Sequence, residues 1–291
     1  MQYGVIIKTY NSFYYVKTND KITMCTLRGR FKKERFLLLV GDEVEYDITE
    51  NGKGIIEKIL PRRNMLQRPM IANIDQVIIT FAAVNPNMNT VLIDRFLVLA
   101  EMSNLDVVLC INKIDLADSE DLEPIVALYR SIGYPVVTVS AKMDVGIKEI
   151  HSILSGKISV FAGPSGAGKS TILNSIEEGL RLVTGAVSEK IGRGKHTTRF
   201  AELLPLSGGG FVVDTPGFSF TEFDTMKKNE LMHYFPEISA AAHECKFNTC
   251  LHLKEPQCAV KQLVTEGQIS EWRYHSYTEI LKEIQEKKKG F

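Results

Sequence analysis

The chain has 291 residues, of which 44% are hydrophobic, and its 35 Lys/Arg balance its 35 Asp/Glu. That length is too great for one small domain and favours two or three domains with real cores. The start, MQYGVIIKTY, lacks a basic flank and a long apolar run, and no later stretch holds eighteen unbroken apolar residues, so a membrane span is excluded and a cytoplasmic protein is expected. The charge is unevenly spread. Residues 1–63 hold twelve Lys/Arg against eight Asp/Glu, residues 64–226 thirteen against eighteen, and residues 227–291 ten against nine. A nucleic-acid surface is therefore expected at the N-terminus.

Residues 3–60 read as five short strands: YGVIIKT, FYYVKT, KITMCTLRG, DEVEYDI and GIIEKIL. Asn19, Asp20, Asn51 and Gly52 mark turns between them. Five strands in that length suggest a small barrel such as an OB-fold over residues 1–63, with Pro61, Arg62, Arg63 and Asn64 as its exit linker. Near the third strand, Arg28, Arg30, Lys32, Lys33 and Arg35 surround a single carboxylate, and Phe13, Tyr14, Tyr15 and Phe31 offer rings on which bases could stack. This is the candidate RNA-binding footprint.

Over residues 64–226 apolar runs alternate with amphipathic segments. QVIITFAAV precedes a helix near 90–102, VVLCI precedes 119–132, VVTVS precedes 146–155, ISVFA precedes 170–180, and GFVVD closes the series. That alternation predicts a parallel sheet with crossover helices. Residues 227–291 read as a mostly helical, zinc-binding C-terminal domain. The expected fold is thus multi-domain: an all-β barrel, a central α/β nucleotide-binding domain and a helical zinc domain.

Asn112, Lys113, Ile114 and Asp115 end one strand, and Ser140, Ala141 and Lys142 end the next, at the carboxyl edge where α/β sheets bind ligands. Gly163, Pro164, Ser165, Gly166, Ala167, Gly168, Lys169, Ser170 and Thr171 lie between a buried strand and a helix, the context of a phosphate-binding loop. Its glycines let N–H groups wrap phosphates, Lys169 reaches the outer phosphates and the Ser170 hydroxyl binds magnesium. This loop alone would equally suit a nucleoside-monophosphate kinase.

The two strand-end motifs resemble the NKxD and SAK guanine elements of the GTPase superfamily. Asp115 would accept from the guanine ring N–H and exocyclic amine, which adenine cannot supply. Asn112 would bond the base edge and brace the loops, the Lys113 stem would cover the base plane, and the Ala141 N–H would meet the guanine carbonyl. Asp214 and Gly217 match DxxG, with Asp214 holding magnesium through water and the Gly217 N–H sensing the γ-phosphate. Phe218 follows, where relatives of the Ras kind carry a water-orienting glutamine. Catalysis must then borrow from the loop 192–199, where His196 could position water and Thr197 or Thr198 could close over magnesium. Lys169, His196, Thr197 and Thr198 are the catalytic candidates.

The motif order, base elements before phosphate loop before DxxG, is that of a circularly permuted GTPase. A kinase would need an acceptor domain and lid after the phosphate loop, but fewer than fifty residues separate Ser170 from Asp214. A zinc-bearing RNA-binding module with a merely regulatory nucleotide site is the third reading. Cys245, Cys250, His252 and Cys258 supply three thiolates and an imidazole, a complete set for one structural Zn2+, with His243 as an alternative ligand.

Barrel, permuted motifs, the Gly192, Gly194, His196, Thr197, Thr198 switch and the C-x4-C-x-H-x5-C knuckle together resemble the small-ribosomal-subunit-dependent GTPase family, RsgA. The likeness spans essentially the whole chain. It implies an OB-fold, a Ras-like domain and a zinc domain acting late in small-subunit assembly. It further implies GTP/GDP and Mg2+ as cofactors, small-subunit RNA as partner, subunit-stimulated hydrolysis and release on hydrolysis. Arg199 stands where many relatives carry a third threonine. With no heptad or second interface pattern, a monomer is expected.

Overall fold

The structure, a computed structural model, describes residues 1–19, 21–29, 37–67, 70–177, 201–214, 223 and 226–287. Strands β1 (Gln2–Tyr10), β2 (Phe13–Thr18), β3 (Lys21–Leu27), β4 (Glu43–Ile48) and β5 (Gly54–Ile59) close into a barrel in the order β1-β2-β3-β5-β4. The β3–β5 pair is parallel and the other four pairs are antiparallel, the five-stranded OB arrangement. Alternation along each strand sends Ile6, Val16, Cys25, Val44, Tyr46 and Ile56 inward, where each aliphatic side chain contributes about 1.5–3 kcal/mol. Buried Tyr46 donates from its hydroxyl to Gln2 Oε1 at 2.9 Å, so its polar tip is not stranded. Only glycine fits at Gly54, because a Cβ there would lie 2.3 Å from Cys25 Sγ and 2.9 Å from Tyr46.

The stretch expected as a linker is pinned on both sides. Arg62 clamps fully buried Asp42 at 2.6 and 2.8 Å and donates to the Leu37 carbonyl at 2.6 Å. Arg63 pairs with Asp75 at 2.5 Å, and the Asn64 amide bonds both backbone groups of Ile74. Between them a short hairpin, β6 (Met65–Gln67) and β7 (Met70–Ala72), lies against the barrel through the bridge Val40–Ile71.

A six-stranded sheet comprises β8 (Gln76–Ala82), β9 (Asp106–Asn112), β10 (Val136–Thr138), β11 (Ile158–Ala162), β12 (Glu202–Pro205) and β13 (Phe211–Asp214), in the order β10-β9-β8-β11-β13-β12. β8 and β11 are buried along their whole length, as strands covered on both faces must be. Edge strand β12, antiparallel to β13, goes unforeseen in the sequence reading. Its signal is two apolar runs flanking Ser207 and three glycines.

Helices α1 (Thr90–Met102), α2 (Ser119–Ser131), α3 (Ile147–Leu154) and α4 (Lys169–Ile176) fall close to the expected crossovers. The C-terminal part adds α5 (Pro236–Ala242), α6 (Ala259–Thr265) and α7 (Glu271–Lys287). By contact density the chain divides into two compact units, residues 1–77, 147–161 and 170–218, and residues 78–146, 162–169 and 219–291. Within the second, the C-terminal helices share a core with α1: Val98 and Leu99 pack with Phe223, Phe235, Ile238, Tyr277, Ile280, Leu281 and Ile284. A buried ion cluster stitches the same elements. Arg273 on α7 donates to Asp94 on α1 at 2.5 Å and to Glu237 on α5 at 2.6 Å, and Tyr129 on α2 donates to Asp94 at 2.8 Å.

Candidate nucleotide site and metal centre

β9 ends at Asn112, whose side chain is 2% exposed and satisfied from two directions. Its Nδ2 donates to the Ala167 carbonyl at 3.0 Å, and its Oδ1 accepts from the Ala141 N–H at 3.3 Å. One buried amide therefore holds the glycine-rich loop and the Ser140–Ala141 loop at fixed separation. Gly168 makes room for it: at φ +90°, a Cβ there would lie 2.2 Å from Asn112 Nδ2. Gly163, at φ +129°, runs against β8, where a Cβ would lie 2.0 Å from the Thr80 carbonyl.

Beyond Asn112 the chain turns sharply, with Lys113 in the left-handed region at φ 62°. Lys113 Nζ donates to the Asn85 carbonyl. Asp115 is exposed, and its Oδ1 accepts from the buried Ser140 hydroxyl at 2.5 Å. Ser140 Oγ in turn accepts from the Met143 N–H at 3.2 Å, closing the loop that displays Ala141 and exposed Lys142. A carboxylate so oriented can read a paired donor edge of a base.

In the glycine-rich loop Ser165 and Gly166 are exposed, while Ala167 is buried. Lys169 opens α4 and its Nζ donates to the Gly163 and Pro164 carbonyls at 2.7 and 2.8 Å, while burial pulls its ammonium below the ordinary lysine value. Ser170 and Thr171 follow in the first turn of α4. This couples backbone donors and a helix N-terminus to a partly desolvated cation, an arrangement suited to a polyphosphate. Asp214 ends β13.

His196, Thr197, Thr198, Arg199, Gly217 and Phe218 lie outside the described residues, as do Arg30, Phe31, Lys32, Lys33 and Arg35; of Asp214 the backbone is described. Of the basic footprint Arg28 remains, exposed at 58% and donating to Glu57. The loop 83–89 escapes the sequence reading, although a Pro flanked by Asn at a strand's carboxyl end is a signal for it.

Cys245, Cys250, His252 and Cys258 bring one ligand atom each within 4.8 Å of the others. Cys245 Sγ and Cys258 Sγ lie 3.6 and 3.4 Å from His252 Nδ1 and 3.9 Å from each other, spacings a tetrahedral zinc site would give. His243 is exposed and is not part of the group. The turn is tightly built: Glu255 accepts from the N–H groups of Leu251, Leu253 and Lys254, Tyr274 donates to the His252 carbonyl at 2.6 Å, and Tyr277 to the Leu251 carbonyl at 3.2 Å. Burial pushes the Cys250 thiol up to about 12, raises Cys258, and lowers His252. The imidazole is thus held neutral and ready to ligate, whereas the thiols need a cation to give up their protons. The Cys3His cluster could bind one structural zinc.

Comparison with known proteins matches residues 59–224 to the RsgA GTPase family and residues 3–56 to the RsgA N-terminal domain. The "Small ribosomal subunit biogenesis GTPase RsgA" of Caldanaerobacter subterraneus subsp. tengcongensis is 48% identical over 286 residues, covering 98% of this chain and 97% of that one. The protein of the same name from Bacillus subtilis is 44% identical, covering 99% of each chain. Among solved structures, YjeQ from Thermotoga maritima superposes with a TM-score of 0.84 at 40% identity, covering 98% of both chains. YloQ, described as a circularly permuted GTPase, gives 0.82 at 40% identity, covering 98% of this chain and 96% of that one. The chain belongs to the RsgA GTPase family and is a GTP hydrolase, with GTP/GDP and Mg2+ as its cofactors.

Proposed function

We propose that this GTPase binds the small ribosomal subunit late in its maturation, that the subunit stimulates hydrolysis of GTP to GDP and phosphate, and that hydrolysis releases the factor. The names of the full-length relatives support the partner. The single observation supporting the nucleotide site is the Asn112 amide, which binds the glycine-rich loop on one side and the Ala141 loop on the other.

In this reading Asn112, Lys113, Asp115, Ser140, Ala141 and Lys142 hold guanine, Asp115 reading its donor edge and Ser140 fixing the carboxylate's angle. Residues 163–171 hold the phosphates, with Lys169 turning from its loop carbonyls toward them. Ser170 and Asp214 would hold magnesium, which supplies charge neutralisation at the outer phosphates. Gly217 contacts the terminal phosphate, His196 positions water, and Thr197 or Thr198 completes the metal site. Since a phenyl ring at Phe218 cannot orient water, intrinsic turnover is slow and depends on the subunit.

The chain is divided as residues 1–63, 64–226 and 227–291, the first carrying the RNA footprint Arg28, Arg30, Lys32, Lys33 and Arg35. The protein acts in the cytoplasm as a monomer; no described helix is long and apolar enough to cross a membrane. Cosedimentation with small ribosomal subunits tests the cycle. Retention with a non-hydrolysable GTP analogue and release with GDP is expected, and equal retention with both nucleotides would overturn it. Charge reversal at the five basic positions should weaken binding and flatten its salt dependence.

A further inference from the structure

The loop between β8 and α1 carries a role that none of the nucleotide motifs includes. It is fixed at both ends: the Ala83 N–H donates to the Asn112 carbonyl at 2.7 Å, and Asn89 caps α1 by accepting from the Leu92 N–H at 3.0 Å. Between these anchors Asn85 adopts φ 54°, a left-handed conformation that aims its carbonyl at Lys113 Nζ. Next to it, Pro86 Cδ comes within 3.5 Å of where a Cβ on Gly166 would stand. Along the way the Lys113 stem passes Gly168, whose added Cβ would lie 4.0 Å from Lys113 Cε. The loop therefore sets its proline beside the glycine-rich loop and holds the end of the base-covering lysine with its carbonyl.

We propose that Asn85 is a positioning residue for purine binding: its left-handed backbone presents the carbonyl that fixes Lys113 across the base plane. This rests on the reading of residues 112–115 as the guanine site. The chemistry is specific. A lysine stem covers a flat ring only while its ammonium has a fixed partner, since the four-carbon chain otherwise samples many rotamers. Asparagine tolerates the left-handed region and glycine does so freely, whereas a β-branched residue is strained there.

The test measures GDP affinity by fluorescence titration for Asn85→Val, Asn85→Gly, Lys113→Met and the double variant Asn85→Val/Lys113→Met. Asn85→Val should weaken GDP about fivefold to tenfold, the scale of one charge-assisted hydrogen bond in a partly exposed setting. Asn85→Gly should stay within about twofold, because its backbone keeps the same conformation. In the Lys113→Met background, Asn85→Val should add nothing, since the carbonyl then has no ammonium to hold. Additive losses in the double variant, or equal losses in the valine and glycine variants, would overturn the proposal. If Lys113→Met binds GDP as tightly as the parent, the guanine-site reading itself fails.

Discussion

Replacing Arg273 with methionine should destabilise the unit that carries both the base-binding loops and the Cys/His cluster. Arg273 is 1% exposed, bonds Asp94 at 2.5 Å and Glu237 at 2.6 and 3.2 Å, and lies 4.4 Å above the Phe235 ring. Methionine keeps the stem's bulk but leaves fully buried Asp94 with the Tyr129 hydroxyl in place of a cation. Removing one partner of such a pair costs about 3–5 kcal/mol. Burial raises the Asp94 carboxyl above its ordinary 3.8, and Arg273 works against that rise. An acid with a raised folded pKa binds more protons folded than unfolded across the window between the two values, so its contribution to stability falls as pH rises through it. Without Arg273 the window extends upward, and the deficit should be smaller near about pH 5.5 than near about pH 8. Trp272, the chain's single tryptophan, neighbours Arg273 on α7, so urea unfolding followed by its fluorescence reads the right element. Adding Asp94→Asn should recover part of the loss. An unchanged midpoint, a deficit independent of pH, or a double variant less stable than Arg273→Met would refute this reasoning.

Asn112→Ala removes both bridging bonds between the loops, so GDP affinity should fall about tenfold to a hundredfold, along with a lower unfolding midpoint from the lost buried bonds; wild-type affinity by titration would count against the bridge. Gly168→Ala should abolish nucleotide binding while the protein stays folded by circular dichroism, because the added carbon meets Asn112 Nδ2 at 2.2 Å; retained binding would show that the loop can yield. Chelation, or Cys250→Ser, should lower the unfolding midpoint reported by Trp272. Zinc affinity should drop on acidification by about tenfold per pH unit for every ligand thiol that gives up a proton on binding, up to about a thousandfold for the three cysteines Cys245, Cys250 and Cys258. A pH-independent affinity would contradict that proton release.

The parts of this molecule legible from sequence are those whose chemistry needs particular residue types close together in the chain. The Cys250–Cys258 turn, the glycine-rich loop after ISVFA and the strand-end Asn112 are of this kind, as are the alternating strands of the barrel. What escaped depends on partners far apart in sequence. Arg273 and Asp94 are separated by 179 positions, and in isolation Arg273 is one more cation in a polar helix. The apolar stripe Tyr277, Ile280, Leu281 and Ile284, at helical spacing, does mark a face that must pack, but not that α1 is what it packs on. Asn85 is invisible for a different reason: it acts through a backbone carbonyl, which any residue possesses. Strand β12 escaped because four residues carry too little periodicity to distinguish from a loop.

Turnover of GTP and of ATP, each with and without purified small ribosomal subunits, tests the central claim most directly. Slow GTP hydrolysis that rises several-fold or more on adding subunits, with ATP hydrolysis negligible in both cases, is the expected result. GTP turnover indifferent to the subunit, or ATP turned over as readily as GTP, would contradict the account.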